Sequence, residues 1–309
     1  MPAIILNMKK TEMIKAHLAT IVAVCVVAIW GETFVSSKVL LGAGLMPADI
    51  FFFRFVMAYL CMCLFSHKRL WAKTWKHELL LLALGVLGGS LYFLSENMAL
   101  MFSTASNVAI LVGSTPLMTA ILLSIFYKDE RMHGKQILGS IIAFFGMALV
   151  VLNGQLVLHL NPRGDMLALG AALTWGFYSL VMKRLTPHYN ALFITRKVFA
   201  YGVLSIIPYF LFVHPLQTDF TILEDPKVWI NLVYLGLVAS MLCYFSWNWV
   251  LSQLGTVKAT NIIYLQAFFT MIVSHVVLGE RITLMAIAGS IILILGMVLA
   301  VRSKKKTSA

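Results

Sequence analysis

Three ionisable residues, Glu32, Arg54 and Glu96, stand inside apolar runs long enough to cross a membrane. A charge near the centre of a bilayer costs from about 2.5 kcal/mol upward on insertion scales, so each needs a reason. Glu32 lies roughly 14 Å from the nearer end of the first run at helical rise. It reads in two ways: as a carboxylate that exchanges a proton or holds a substrate amine, or as one half of a static ion pair with Arg54. Arg54 sits about one turn into the second run, from where a long side chain can reach the interface. Glu96 lies close to the end of the third run. Lys38 and Lys183 read as helix-end anchors, where a cation suits the helix dipole.

A second group is polar or aromatic at interior positions: Trp30, Asn107, Trp175, Tyr178, Tyr244, Trp247, Asn248, Tyr264 and Gln266. In a water-filled cavity, aromatic rings offer stacking surfaces and cation–π partners for an amine. Amides there would orient a solute by hydrogen bonding. The competing use of the same residues is glue between helices or an aromatic belt at the interface. Tyr264 and Gln266 are two apart, about 200° around a regular helix, so only one of them is expected to face a cavity. Repeated Trp-Gly pairs (Trp30-Gly31 and Trp175-Gly176) place the two tryptophans in corresponding settings.

The elements that must hold these residues follow from composition. Of 309 residues, 61% are hydrophobic and 12% charged, against about 25% charged in a soluble domain. That is an integral membrane protein, all helical. Ten stretches can span a bilayer, near 17–41, 49–66, 78–97, 104–127, 135–152, 165–184, 191–213, 228–250, 257–279 and 283–301. The net charge of +12 comes from basic residues in short gaps between these stretches. It therefore follows the positive-inside rule and not a nucleic-acid-binding face. With the N-terminus inside, 19 of the 24 basic residues fall on that side, so both termini are predicted cytoplasmic. Cys25, Cys61, Cys63 and Cys243 all lie in apolar runs and read as fillers, so neither a disulfide framework nor a metal site is expected. No cofactor is expected. Met1, Met8 and Met13 are all candidate starts.

The chain repeats itself. Glu130, Arg131, Gly139, Ser140, Gly146 and Met147 recur 150 positions on as Glu280, Arg281, Gly289, Ser290, Gly296 and Met297. Such duplication governs the choice of fold. The organisation it implies is a tail (1–16), a first five-helix repeat (17–152), a linker (153–164), a second repeat (165–301) and a basic tail (302–309). Five spans per unit is odd, so the second copy must cross the membrane inverted, the pattern of secondary transporters with a site between the halves. Glu130 and Glu280 each precede a helix start and read as cap-region residues. Gly139/Gly146 and Gly289/Gly296 form small-residue stripes, expected to serve packing inside each half or a homodimer contact.

Taken in order, Trp30-Gly31, Arg54-Phe55, the segment from Ser103 to Pro116, the two Glu-Arg…Gly-Ser…Gly blocks, Trp175-Gly176 and Trp247-Asn248-Trp249 resemble the drug/metabolite transporter superfamily, in its EamA-like ten-helix branch. The resemblance covers the whole chain. It implies a pathway between two five-helix halves and the movement of small metabolites, commonly amino acids. The sequence departs from the family pattern at one point. Span four has Pro116, whereas Leu265-Gln266-Ala267-Phe268 in span nine has no proline, so a mechanism that breaks both helices lacks support from the residues.

The favoured reading is a multi-pass protein of the cell (inner or plasma) membrane that exports a small-molecule metabolite by alternating access, with proton exchange through Glu32. The alternatives are a lipid-handling membrane enzyme and a non-transporting scaffold or sensor. No Walker A loop, HExxH, GxSxG or TVGYG-like filter occurs in the sequence, which argues against the corresponding pumps, hydrolases and channels.

Overall fold

A bilayer offers the backbone no partners, so every N–H and C=O within it must be satisfied inside the protein. The computed structural model describes residues 2–66, 70–103, 105–127, 132–152, 161–216, 220–278 and 281–302, with side chains except at 2–12, 105, 106, 220, 274, 277, 278 and 302. Ten helices there are long and apolar enough to cross: α1 (Met13–Gly42), α2 (Pro47–Phe65), α3 (Trp75–Phe102), α4 (Asn107–Phe126), α5 (Gly134–Leu152), α6 (Pro162–Leu185), α7 (Ala191–Phe212), α8 (Pro226–Leu254), α9 (Thr256–Val273) and α10 (Leu284–Val301). The first helix begins at Pro2, so the predicted N-terminal tail continues α1 as helix. No strand occurs among the described residues. Glu130, Arg131 and Glu280 lie outside the described residues.

The helix starts are written locally. Proline opens α2, α6 and α8, where its missing N–H costs nothing. Asn161, Asn190 and Asp225 accept the first free N–H groups of α6, α7 and α8 through their side chains, the usual cap chemistry. Asp49 accepts the Met46 N–H at 3.0 Å ahead of α2.

Four spans are irregular, in two pairs. α3 carries a π segment at Val86–Ser90 and α8 one at Tyr234–Leu242. α4 is interrupted at Gly113–Ser114, between Ala105–Val112 and Thr115–Phe126. α9 is interrupted at Ile263–Tyr264, between Thr256–Ile262 and Leu265–Leu278. Residue 263 is the position that the 150-residue repeat pairs with 113. Span nine is therefore broken without a proline, against the expectation. Its polar residues supply the break: Asn261 Nδ2 donates to the Val257 carbonyl (2.8 Å) and Thr260 Oγ1 to the Thr256 carbonyl (2.9 Å). Side chains that bond the preceding turn compete with the helix ladder and bend it. The turn then tightens, with Ile263 N donating to the Thr260 carbonyl at 3.0 Å.

The glycine stripes do neither of the jobs expected of them. They join the two halves of one chain. A Cβ on Gly146 would stand 2.3 Å from the Leu293 nitrogen, and one on Gly296 would stand 2.3 Å from the Ala143 nitrogen. Gly139 meets Ala300 in the same way. Rising numbers on α5 thus meet falling numbers on α10, an antiparallel pair at backbone contact. Without a hydrophobic drive in lipid, close approach of this kind is what holds membrane helices together.

Candidate functional site

A cavity of about 500 Å³ occupies the half of the bundle away from the N-terminal side. Its wall takes residues from α1 to α6, α8 and α9, with Lys38 and Ile282 at that end. Volume on this scale suits a small organic solute.

The wall of α1 is a helical stripe widened at its far end by Val35 and Val39. Trp30, Phe34 and Lys38 follow at four-residue intervals, with Thr33 beside them, and all four line the cavity. Glu32 is two positions from Trp30, on another side of the helix. It is half-buried, absent from the lining, and interacts with Tyr234 of α8. Of the two readings of Glu32, the ion pair with Arg54 is not observed; Arg54 bonds Ser240 instead.

Trp30, Trp175 and Tyr244 form the aromatic floor. Their ring centres are 5.5 Å (Trp30–Trp175), 5.7 Å (Trp175–Tyr244) and 6.0 Å (Trp30–Tyr244) apart. Two of them are tied to the π segments. Tyr244 donates its hydroxyl to the Gly88 carbonyl at 2.6 Å, and Trp30 donates Nε1 to the Ala239 carbonyl at 3.0 Å. A π turn shifts the hydrogen-bond ladder and leaves a carbonyl available to such a donor. The glycines after the tryptophans also have a use. Gly31 faces Thr270 of α9, with Thr270 Oγ1 2.9 Å from where a Cβ would stand, and Gly176 faces Leu122 and Thr119 of α4. Each Trp-Gly pair sends a ring to the cavity and admits a broken helix against its own backbone.

Beneath the floor lie Tyr178, Trp247 and Asn248. All three are fully buried and off the lining. Tyr178 donates to Asn248 Oδ1 at 2.6 Å, and Asn248 Nδ2 donates to Thr195 Oγ1 at 2.9 Å, a network that ties α6, α7 and α8 together. Asn107 is also off the lining. It bridges Ser103 (2.9 Å) and Asp165 (2.5 Å), joining α4 to α6. These four candidates shape the site from behind.

Tyr264 and Gln266 both line the cavity. The one-or-the-other expectation assumed a continuous helix, and the break at 263–264 removes that assumption. Gln266 Nε2 donates to the Trp30 carbonyl at 3.2 Å. The Tyr264 hydroxyl and Trp175 Nε1 are buried without a hydrogen-bond partner among the described residues.

Two charges enter the wall inside the membrane, Arg54 and Glu96. Arg54 Nε donates to Ser240 Oγ at 2.8 Å, and its guanidinium lies 4.2 Å from the centre of the Phe93 ring. Glu96 accepts the Tyr92 hydroxyl at 2.7 Å. Tyr92 was not singled out from the sequence. Its place one turn before Glu96, on the same helix face, was the available signal.

Comparison with known proteins agrees with this architecture. The EamA-like transporter family model matches residues 17–152 and 162–302. An uncharacterized transporter of Archaeoglobus fulgidus is 27% identical over 88% of this chain and 93% of its own. A probable amino-acid metabolite efflux pump of Escherichia coli is 27% identical over 90% of this chain and 92% of its own. A probable terminal-alkyne amino-acid exporter of Streptantibioticus cattleyicolor is 27% identical over 70% of each chain. One solved crystal structure superposes with a TM-score of 0.71 at 16% identity, over 92% of this chain and 97% of that one, a likeness of fold. Ten membrane-spanning helices, a cavity within them that carries charged side chains and a family match across both halves lead to one conclusion: the chain is a multi-pass membrane protein and belongs to the EamA-like transporter family.

Proposed function

We propose that the protein is a secondary transporter that exports a small amphipathic metabolite, an amino acid or a close derivative, by alternating access. In this reading the two five-helix halves lie inverted about the cavity and both termini are cytoplasmic, so the cavity opens to the outside. The observation that carries it is the pairing of an aromatic floor with two separated charges, Arg54 and Glu96, inside the membrane-spanning part of the chain. A filled structural bundle has no need of either charge, and each is costly there. The efflux and exporter names of the relatives support the substrate class and direction.

The test is counterflow. Purified protein in liposomes preloaded with each of the twenty amino acids should draw in the labelled counterpart of at least one of them, and Trp175→Ala should abolish that uptake. Flux indistinguishable from protein-free liposomes across amino acids, amines and organic acids would sink the reading.

A further inference from the structure

We infer that Arg54 is the anion anchor of the cavity, receiving the carboxylate of the carried solute on the edge of its guanidinium. This rests on the transport reading above and adds to it which residue recognises which end of the solute.

Arg54 is 2% exposed and sits seven residues into α2, inside the apolar part of the bundle. A guanidinium does not lose its proton in a protein, so its charge is permanent there. Burial of such a group demands a partner of opposite sign. The protein does not supply one at contact. No described carboxylate comes within ion-pair distance of Arg54, and Glu96, on the same cavity wall, is engaged instead by Tyr92. The protein holds the guanidinium by other means. Ser240 takes Nε, and the Phe93 ring lies against one face. The remaining N–H groups have no hydrogen bond to any described residue, yet they are not sealed in, and the residue lines the cavity.

That arrangement fixes one edge and one face of the guanidinium and leaves its far edge to the cavity. Fixing Nε and one face removes the freedom of a long side chain before any solute arrives. The Nη edge then presents parallel N–H donors, which match the two oxygens of a carboxylate better than any single-point cation does. Glu96, held apart from Arg54, leaves a zwitterion a place for each of its charges without the protein's own pair closing on itself. The two charges are near enough to act on each other across the cavity but are not in ion-pair contact, each side chain being held by its own hydrogen-bond partner.

The experiment uses matched ligand pairs. Each of L-leucine, L-methionine and L-phenylalanine is compared with its carboxamide by melting shift in detergent, on wild type, Arg54→Lys and Arg54→Gln. In wild type at least one acid should bind at least tenfold tighter than its amide. In Arg54→Gln that ratio should fall to near one, and in Arg54→Lys, which keeps the charge and loses the fork, it should fall severalfold. If Arg54→Gln does not fold, the ratio in Arg54→Lys decides. A ratio unchanged from wild type in the decisive variant overturns the assignment, as does the failure of all three acids to stabilise wild type. Counterflow keeps the two readings distinct. Flux of a solute without a carboxylate, with no acid binding, removes the anchor and leaves the transporter. Acid binding that depends on Arg54, with no flux of any solute, keeps the anchor and removes the transporter.

Discussion

Glu32 on α1 and Glu96 on α3 are both carboxylates inside membrane spans, but only Glu96 shares the cavity with Arg54. A proton exchanged against a bound solute must be reachable from the site that holds the solute. If transport is coupled to protons, Glu96→Gln is therefore expected to remove the dependence of flux on an imposed pH gradient, while Glu32→Gln leaves it within about twofold of wild type. The reverse pattern in proteoliposomes would return the coupling role to Glu32. The two residues also mark what could be read in advance. That Glu32, Arg54 and Glu96 needed a reason was legible from their apolar surroundings alone. Which of them reach a common space depends on the phase of each helix against its neighbours. Phase along α1 does not settle it, because Val35 and Val39, three and seven positions after Glu32 and so near its face of the helix, also line the cavity. The partner of Arg54 was not legible either, because Ser240 belongs to the other half of the chain, 186 positions away.

Among the elements, α5 and α10 are the closest-packed pair, and their glycines offer a direct test. Gly146→Val places a side chain where backbone atoms of Leu293 already stand. Overpacking of that kind costs about 1–3 kcal/mol or more, and the melting temperature should fall accordingly. Gly170→Ala is the control: nothing stands within 4 Å of where a Cβ would project from this position on α6, and replacing a mid-helix glycine gains about 0.5–1 kcal/mol. Equal melting temperatures for the two variants would refute the backbone-contact account. The π segments give a second test. Tyr244→Phe leaves the Gly88 carbonyl without its donor, at a cost of about 1–3 kcal/mol for a buried polar group. It should lower the melting point while preserving the ring that lines the cavity; an unchanged melting point would mean that the carbonyl has another partner. The ten spans and the duplication were legible because both are periodic in the sequence. The break in span four announced itself with Pro116. Its counterpart in span nine is produced by Thr260 and Asn261 acting on the preceding turn, a signal that looks like ordinary helix glue until the side chains are seen to bond their own helix.

The two ends of the whole molecule are built differently, and that difference bears on how it would cycle. The cavity occupies the end of Lys38 and Ile282. At the other end a buried clasp joins α3 to α7. The Glu78 carboxylate takes Lys197 Nζ and the Tyr201 hydroxyl, and its second oxygen accepts the Ala72 N–H at 2.6 Å. The Lys197 ammonium lies 4.5 Å from the Trp71 ring centre, and Arg196 donates to the Ser66 carbonyl beyond α2. The contacts that Arg196, Lys197 and Tyr201 make here all cross from the first half of the chain to the second, so an opening on that side must break them. Removing one partner of a buried pair leaves a lone charge and costs about 3–5 kcal/mol, which a fold-wide loss of stability would also explain. The double variant Glu78→Gln/Lys197→Met avoids the lone charge and tests the clasp as a latch. With Cys25, Cys61, Cys63 and Cys243 replaced and Thr33→Cys placed in the cavity wall, a membrane-impermeant maleimide applied from the Lys38 side should label the parent rapidly. Under the alternating access proposed above, labelling should slow severalfold in the double variant, because weakening the closed end would shift the population toward a state in which the cavity is shut on the Lys38 side. An unchanged labelling rate in a double variant of unchanged melting temperature would show that the clasp fastens the helices without biasing which side opens.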